Sequence, residues 1–322
     1  MWYALDILIA IIIDWVIGDP YGFPHPVIYI GKLISKLQKF TRKRCKSSKA
    51  LKFGGGFIVI TVAFVTFIIP FLLLLVTREI PLLHHIINVF ILWTTLACKC
   101  LGVEGKKIYL ELEKDDLKEA RVKLSYIVGR ETKDLSEHEV IRADVETIAE
   151  NTADGVIAPM FFAMLFGPFG GAGAMMYKGI NTMDSMLGYL TEEFKHIGFF
   201  PAKVDDVFNY IPARITGLLI ALSAPVVGGN VLKSFRIMVR DRHNHKSPNC
   251  AYPEAAAAGA MKVQLGGTNT YFGQVIYKPT MGDDVIALEK YHILQCIKLM
   301  YAAEILMYII YFIIIILWRI IF

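Results

Sequence analysis

The sequence lacks the strings that usually announce a nucleotide or redox site. No Gly-x-x-x-x-Gly-Lys-[Ser/Thr] occurs, so a P-loop is unsupported, and no Gly-x-Gly-x-x-Gly follows a strand pattern. Cysteines are few, odd in number and scattered: Cys45, Cys98, Cys100, Cys250 and Cys296 argue against a disulfide framework. Cys98 and Cys100 have no partner pair at zinc-type spacing, and His243 with His245 is half a metal site without matching ligands nearby. An excess of one charge is missing too. The net charge of +5 (34 basic minus 29 acidic residues) is too small to argue for nucleic acid as a partner. No internal repeat or long disordered tract is visible. The N-terminus lacks the basic leader and cleavage site of a secretory signal, so the first apolar stretch is expected to stay.

Hydrocarbon is what the chain has in quantity. Of 322 residues 55% are apolar, high for a soluble protein, and they are clustered. Residues 53–77 run without a charge, about 37 Å if helical, against a hydrocarbon core of roughly 30 Å. Residues 299–318 carry one charge, Glu304. Weaker segments are 2–17, with Asp6 and Asp14, and 82–98, polar at its start through His84, His85 and Asn88. Two more are broken: 155–177 contains Pro159, Gly167-Pro168 and Gly170-Gly171, and 215–229 is short and contains Pro225. Such segments suit re-entrant or shallowly buried elements.

The pattern predicts an all-α integral membrane protein, with several transmembrane helices, re-entrant or short apolar segments and cytoplasmic helical regions. One domain over 1–322 is expected, multi-pass in the cell membrane. Its polar regions, 19–52, 99–154, 178–206 and 233–296, are expected in the cytoplasm. Residues 31–52 hold nine Lys or Arg and no acid, which the positive-inside rule places there. Ser136-Glu137-His138-Glu139 is a capping box, with Leu135 and Val140 in position for a hydrophobic staple. Tyr252-Pro253-Glu254 opens an alanine-rich helix, and Leu265-Gly266-Gly267-Thr268-Asn269 reads as a turn.

Against this background, four strings crowd polar groups beside apolar segments, and ionisable groups there are costly unless paired, hydrated or ion-bound. In the first, Glu146 and Glu150 lie four apart, with Asn151 and Asp154 near the same helix end. Such oxygens suit a hard cation such as Mg²⁺; a solvated acidic face is the other reading. Arg142 can pair with Glu146 across one turn. Lys178, Asn181, Asp184 and Ser185 share one helical face, either as an ion pair or as a phosphate-holding lysine with positioning groups. Asp205 and Asp206 point about 100° apart on a helix, so only one can join Asn209 on a given face. Arg214, at the edge of an apolar run, is a snorkelling side chain or an anion clamp. Asp19 and His25 sit in a proline-rich exit from the first apolar segment, where His25 is a general base or a turn partner. The last string is Ser247-Pro248-Asn249.

Taken in series these strings resemble the CobD/CbiB family of cobalamin biosynthesis, the adenosylcobinamide-phosphate synthases. The resemblance begins with Asp14-Trp-Val-Ile-Gly18-Asp19-Pro20, His25-Pro26-Val27 and Gly129-Arg130-Glu131-Thr132. It continues through Glu146-Thr-Ile-Ala-Glu150-Asn151 with Asp154-Gly155-Val-Ile-Ala-Pro159, and Tyr177-Lys178 with Asn181-Thr182-Met-Asp184-Ser185. Asp205-Asp206 with Asn209-Tyr-Ile-Pro212-Ala213-Arg214 follows. The last strings are Ser247-Pro248-Asn249 with Pro253-Glu254-Ala255, and Leu265-Gly266-Gly267 with Tyr271-Phe-Gly273. Any one string is weak; in order, over roughly residues 6–275, they are specific.

The resemblance implies ATP-dependent amide-bond formation between a carboxylate of adenosylcobyric acid and (R)-1-aminopropan-2-ol O-2-phosphate or a related amino-alcohol phosphate. ATP and Mg²⁺ are the implied cofactors, and an acyl phosphate is the expected activated acid. Glu146, Glu150, Asn151 and Asp154 are expected to hold the metal. Lys178, Asp184, Asp205 and Asp206 are the expected catalytic groups. Asp19, His25, Asn181, Ser185, Asn209, Arg214, Ser247 and Asn249 are expected to bind substrate. The active site is expected on the cytoplasmic side, and partners include membrane lipid and another copy or other corrinoid enzymes. A transporter using intramembrane acids as an ion or substrate site is the alternative, with a silent scaffold behind it.

Overall fold

The computed structural model describes residues 2–20, 22–189, 191–271 and 274–321, and the backbone alone for 269–271 and 274–276. Phe272 and Gly273, part of the last matched string, lie outside the described residues. The described chain is mostly helical. It opens with α1 (Trp2–Ile17), α2 (Pro26–Arg44), α3 (Ser48–Val76) and α4 (Pro81–Trp93). Next come α5 (Cys98–Glu113), α6 (Leu117–Ser125), α7 (Glu137–Thr152), α8 (Ala158–Phe166), α9 (Gly170–Leu187) and α10 (Phe199–Phe208). Then follow α11 (Tyr210–Ser223), α12 (Val231–Asp241) and α13 (Ala251–Met261). A hairpin of β1 (Leu265–Tyr271) and β2 (Gln274–Met281) leads to α14 (Tyr291–Ile321).

Among the described residues, five helical stretches are long and apolar enough to cross a membrane: Ser48–Val76, Pro81–Glu113, Glu137–Leu187, Tyr210–Val227 and Tyr291–Ile321. The protein is thus an all-α, multi-pass membrane protein by length and composition. The 16 residues of α1 are not among the five, since a helix that short spans about 24 Å, less than the hydrocarbon thickness. The broken segment 155–177 is helical with two irregularities, a π-helical turn at Ala153–Ile157 and a 3₁₀ turn at Gly167–Phe169. Pro168 has no N–H to donate and Gly167 has φ 52°, which accounts for the second break.

The helices form two compact units, Met1–Ala97 with Ala158–Asn209, and Cys98–Ile157 with Tyr210–Phe322. In the first unit α9 packs on α3 so closely that a Cβ on Gly179 would lie 2.6 Å from Thr66 Oγ1. Ile58, Val62, Leu74, Ile180 and Met183 are buried in its core. The polar residues of its two weaker apolar segments satisfy one another. His85 Nδ1 lies 2.8 Å from Asp6 Oδ1, and Asn88 Nδ2 donates to Asp6 Oδ2 at 2.7 Å. Asn88 Oδ1 accepts the Gly171 N–H at 2.9 Å. Phe169 precedes α9 without a side-chain cap, so Asn88 supplies from α4 the acceptor this helix start needs.

In the second unit α7 is buried along most of its length, and the alanines of α13 (Ala255, Ala256, Ala257, Ala258) let neighbouring helices approach closely. Gly259 faces Ser234 of α12, where a Cβ would come within 2.9 Å of the Ser234 Cα. The expected turn at 265–269 is instead strand β1, a correction with a clear cause. Gly266 and Gly267, at φ 87° and 94°, form a bulge where the β1–β2 register shifts, not a chain reversal.

Candidate functional site

Helix α7 starts on the expected capping box: Ser136 Oγ accepts the Glu139 N–H at 3.3 Å, and Glu139 Oε2 accepts the Ser136 N–H at 2.8 Å. The spacing of four then carries Arg142, Glu146 and Glu150 along one side of a helix whose surroundings exclude water. Glu146 is 1% exposed, so the solvated-face reading does not apply to it. A carboxylate so placed needs partners, and it has several. Arg130 Nη2 donates to Glu146 Oε2 at 2.8 Å, and the bulge directs the Gly266 N–H onto Glu146 Oε1 at 2.8 Å. Arg142 donates to the carbonyl oxygens of Gly266 and, at 2.6 Å, Thr268. The guanidinium that meets Glu146 is therefore that of Arg130, while Arg142 pins the bulge.

Strand β2 brings Lys278 to the same place. Its Nζ lies 2.6 Å from Glu254 Oε2 and 3.9 Å from Glu146 Oε2. Glu254 sits in the first turn of α13 and is fully buried, with Oε1 unpartnered among the described residues. Half-buried Cys250 donates its S–H to Glu150 Oε1 at 2.9 Å. His245 Nδ1 accepts the Ser247 N–H at 2.9 Å.

The electrostatics follow from crowding three carboxylates around two cations. Burial pushes the Glu254 carboxyl up to about 8, Glu146 and Glu150 add to that, and the Lys278 ammonium opposes it. Burial works against the Lys278 charge, but Glu254 and Glu146 outweigh it and hold the amine protonated. Burial, with the Lys278 charge beside it, takes His245 down to about 4. Its ring is neutral near pH 7, and because Nδ1 accepts a hydrogen bond the proton is on Nε2. Burial, then Glu150, Glu254 and Asp154, raise the Cys250 thiol well above its usual value. It stays a donor.

A divalent cation fits part of the expected set. Glu146 is engaged by Arg130 and Gly266, and Asn151 Nδ2 donates to the Thr147 carbonyl of its own helix at 2.9 Å. Glu150 and Asp154, four apart, offer the one or two carboxylates that Mg²⁺ takes beside waters and phosphate oxygens.

Arg214, Ser247 and Asn249 also meet in this unit. The Arg214 guanidinium lies 3.3 Å from the Tyr210 ring centre and 4.4 Å from that of Tyr252. It donates to Asn249 Oδ1 at 3.2 Å, and Ser247 Oγ accepts the Asn249 N–H at 3.3 Å. The other expected residues lie in the first unit. Asn181 Nδ2 on α9 donates to buried Asp205 Oδ1 on α10 at 3.4 Å. Asp206, on another face of α10, pairs with Lys203 at 3.0 Å. Ser185 Oγ donates to the Asn181 carbonyl at 3.0 Å. Lys178 and Asp184 share α9 with them. His25 caps α2, its Nδ1 accepting the Val27 N–H at 3.2 Å, and its Nε2 lies 3.5 Å from Asp19 Oδ1. Asn209, buried, follows α10.

Sequence reasoning missed Lys278, His245, Cys250 and the roles of Arg130 and Glu254. Arg130 and Glu254 stand inside matched strings and could have been singled out. Lys278 carries no signal of its own.

The model of the CobD/CbiB protein family matches residues 7–300. The cobalamin biosynthesis protein CobD of Clostridium tetani is 61% identical over 308 residues, covering 95% of this chain and 96% of that one. CobD of Clostridium acetobutylicum is 61% identical over 312 residues, with 97% and 98% covered. The cobalamin biosynthesis protein CbiB of Salmonella typhi is 44% identical over 298 residues, 92% of each chain. No solved structure matches.

Proposed function

The chain belongs to the CobD/CbiB family, and from that membership we propose an ATP-dependent ligase joining adenosylcobyric acid to (R)-1-aminopropan-2-ol O-2-phosphate or a related amino-alcohol phosphate. The product is adenosylcobinamide phosphate, and the role is in cobalamin biosynthesis, the process its relatives are named for. One observation carries the chemistry: Glu146, Glu150 and Glu254 are gathered beside Arg130, Lys278 and a neutral His245.

Activating a carboxylate with ATP is phosphoryl transfer, which needs positioning and neutralised charge above all. Mg²⁺, when bound, supplies positive charge against phosphate oxygens, and Glu150 and Asp154 would hold it. Arg130 and Lys278 keep the remaining carboxylate charge balanced, so the cluster stays in place when an anion arrives. Neutral His245 presents Nε2–H as a donor for oxygen that gains charge as the amine attacks. Arg214, held flat by two tyrosines, grips a phosphate. In the first unit Lys178, Asp184, Asp205 and Asp206 act on phosphate oxygens and on the proton the amine must lose. Asp19, His25, Asn181, Ser185, Asn209, Ser247 and Asn249 orient substrate. The site faces the cytoplasm, where ATP is, across the cell membrane.

The test is ADP release by detergent-purified protein given Mg-ATP, adenosylcobyric acid and aminopropanol phosphate together and with each omitted. Release that needs all three, with a corrinoid product heavier by the condensed amino alcohol, supports the ligase. Folded protein that releases no ADP yet moves an ion or a corrinoid into liposomes replaces it with the transporter.

A further inference from the structure

Helix α12 is too short to cross a bilayer, since its 11 residues reach about 16 Å, and its surface has two adjoining stripes. Leu232, Phe235 and Val239 are exposed, at 63%, 40% and 38%. Lys233, Arg236 and Arg240 occupy a stripe turned from the first by about 100°. Ser234, Met238 and Asp241, buried, face the protein. An exposed apolar stripe beside a basic one is the pattern of a helix lying in the membrane interface.

The basic stripe forms one wall of a cavity of about 300 Å³, lined also by Gly259, Lys262, Asp283 and Val285. Its charges are unequally committed. Arg240 is held by Asp241 at 2.7 and 2.8 Å and by Asp283 at 2.7 Å. Lys233, Arg236 and Lys262 have no ion-pair partner among the described residues. Lys262 is odd in a second way. It ends α13 in the left-handed conformation, φ 63°, a position that ordinarily takes glycine. A lysine kept where glycine is easier is a strained residue, and strain of this kind gathers at ligand sites. The rim adds exposed Val285 (67%) to the apolar stripe of α12.

We propose that this cavity binds the phosphate headgroup of an anionic phospholipid, with α12 lying in the interface and its apolar stripe against the acyl chains. Three uncommitted cations match a phosphate, and the apolar rim matches hydrocarbon that a soluble phosphate does not have. The surface is separate from the cluster proposed for catalysis.

The experiment places a reporter on α12. The full-length Phe235→Trp protein goes into nanodiscs containing brominated phosphatidylglycerol or brominated phosphatidylcholine, and quenching is read as the difference from the parent protein. The expected result is stronger quenching by the anionic lipid, unaffected by millimolar inorganic phosphate or ATP. Lys233→Gln and Arg236→Gln, added singly, weaken that preference by about fivefold each. Lys262→Gly weakens it while raising the melting temperature, a combination a merely structural lysine does not give. Equal quenching by both lipids, displacement by inorganic phosphate or ATP, or an unchanged preference in the folded Lys233→Gln/Arg236→Gln variant would each overturn the proposal.

Discussion

Lys278 Nζ and Glu254 Oε2 stand 2.6 Å apart, the carboxylate fully buried and the lysine side chain 12% exposed. The two residues are far apart in sequence, and only the β1–β2 hairpin brings the amine over the start of α13. Above about pH 8, where Glu254 is ionised, removing one partner of the buried pair strands the other's charge, which costs about 3–5 kcal/mol. Lys278→Met is therefore expected to lower the melting temperature sharply. Lys278→Met/Glu254→Gln should cost less than the two single changes summed. Thermal unfolding of the four proteins in detergent measures that coupling, and strict additivity would refute it.

The same carboxyl sets a pH dependence. Glu254 titrates near 8 in the folded protein against 4.5 for an ordinary glutamate, so between those values the folded state binds the extra proton. Stability from this group is complete below about 4.5 and is lost as pH rises through 8. His245 works the other way, since its pKa of about 4 against 6.5 costs stability as pH falls through that window. Above 6.5 the histidine contributes no slope. Stability should then decline from pH 6.5 to 8, and Glu254→Gln should flatten that decline.

Gly266 is where the backbone bulge meets the Glu146 carboxylate. At φ 87°, with a Cβ only 2.5 Å from the Pro279 carbonyl oxygen, no side chain fits without moving the bulge. Gly266→Ala is expected to cost about 1–3 kcal/mol and to pull its N–H away from Glu146. Turnover should fall further than the loss of folded protein accounts for. Equal losses in both would make the bulge purely structural.

How much of this was legible in the sequence depends on whether a signal is periodic. The capping box at Ser136 and the long apolar runs were legible because they rest on local spacing, and both stand in the structure. The acidic string at Glu146 was legible as a polar cluster but not in its partners. Nothing local couples Arg130, Lys278 and the Gly266 N–H to one carboxylate, because those contacts are made by tertiary packing. The hairpin was hidden because Gly266-Gly267 reads equally well as a turn or as a bulge. The polar residues Asp6, His85 and Asn88 made two segments look weak as membrane spans, and their spacing could not reveal that they satisfy one another.

Glu150 tests the metal. Its described hydrogen bond is the one from Cys250 Sγ, so Glu150→Gln removes a charge without breaking a buried ion pair and should leave the melting temperature close to that of the parent. The Mg²⁺ concentration giving half-maximal ADP release should rise by tenfold or more, about 1.4 kcal/mol. Glu146→Gln, by contrast, strands Arg130 and should lower stability first. If Glu150→Gln left the Mg²⁺ dependence unchanged, Glu150 would not hold the ion.

Arg214 separates a snorkelling side chain from an anion clamp. Its guanidinium is fixed by the Tyr210 and Tyr252 rings and by Asn249, which holds its plane in one orientation before any ligand arrives. A lysine keeps the charge but has neither the planar fork nor the stacking. Each lost cation–π contact is worth about 0.5–1 kcal/mol at an exposed position. If the arginine grips a phosphate, Arg214→Lys should raise the KM for one phosphate-bearing substrate by about tenfold, a difference of 1.4 kcal/mol, and change kcat much less. Steady-state kinetics with ATP and the amino-alcohol phosphate varied in turn identify which one. If the arginine only anchors the edge of α11, the melting temperature should fall and both KM values should stay where they were.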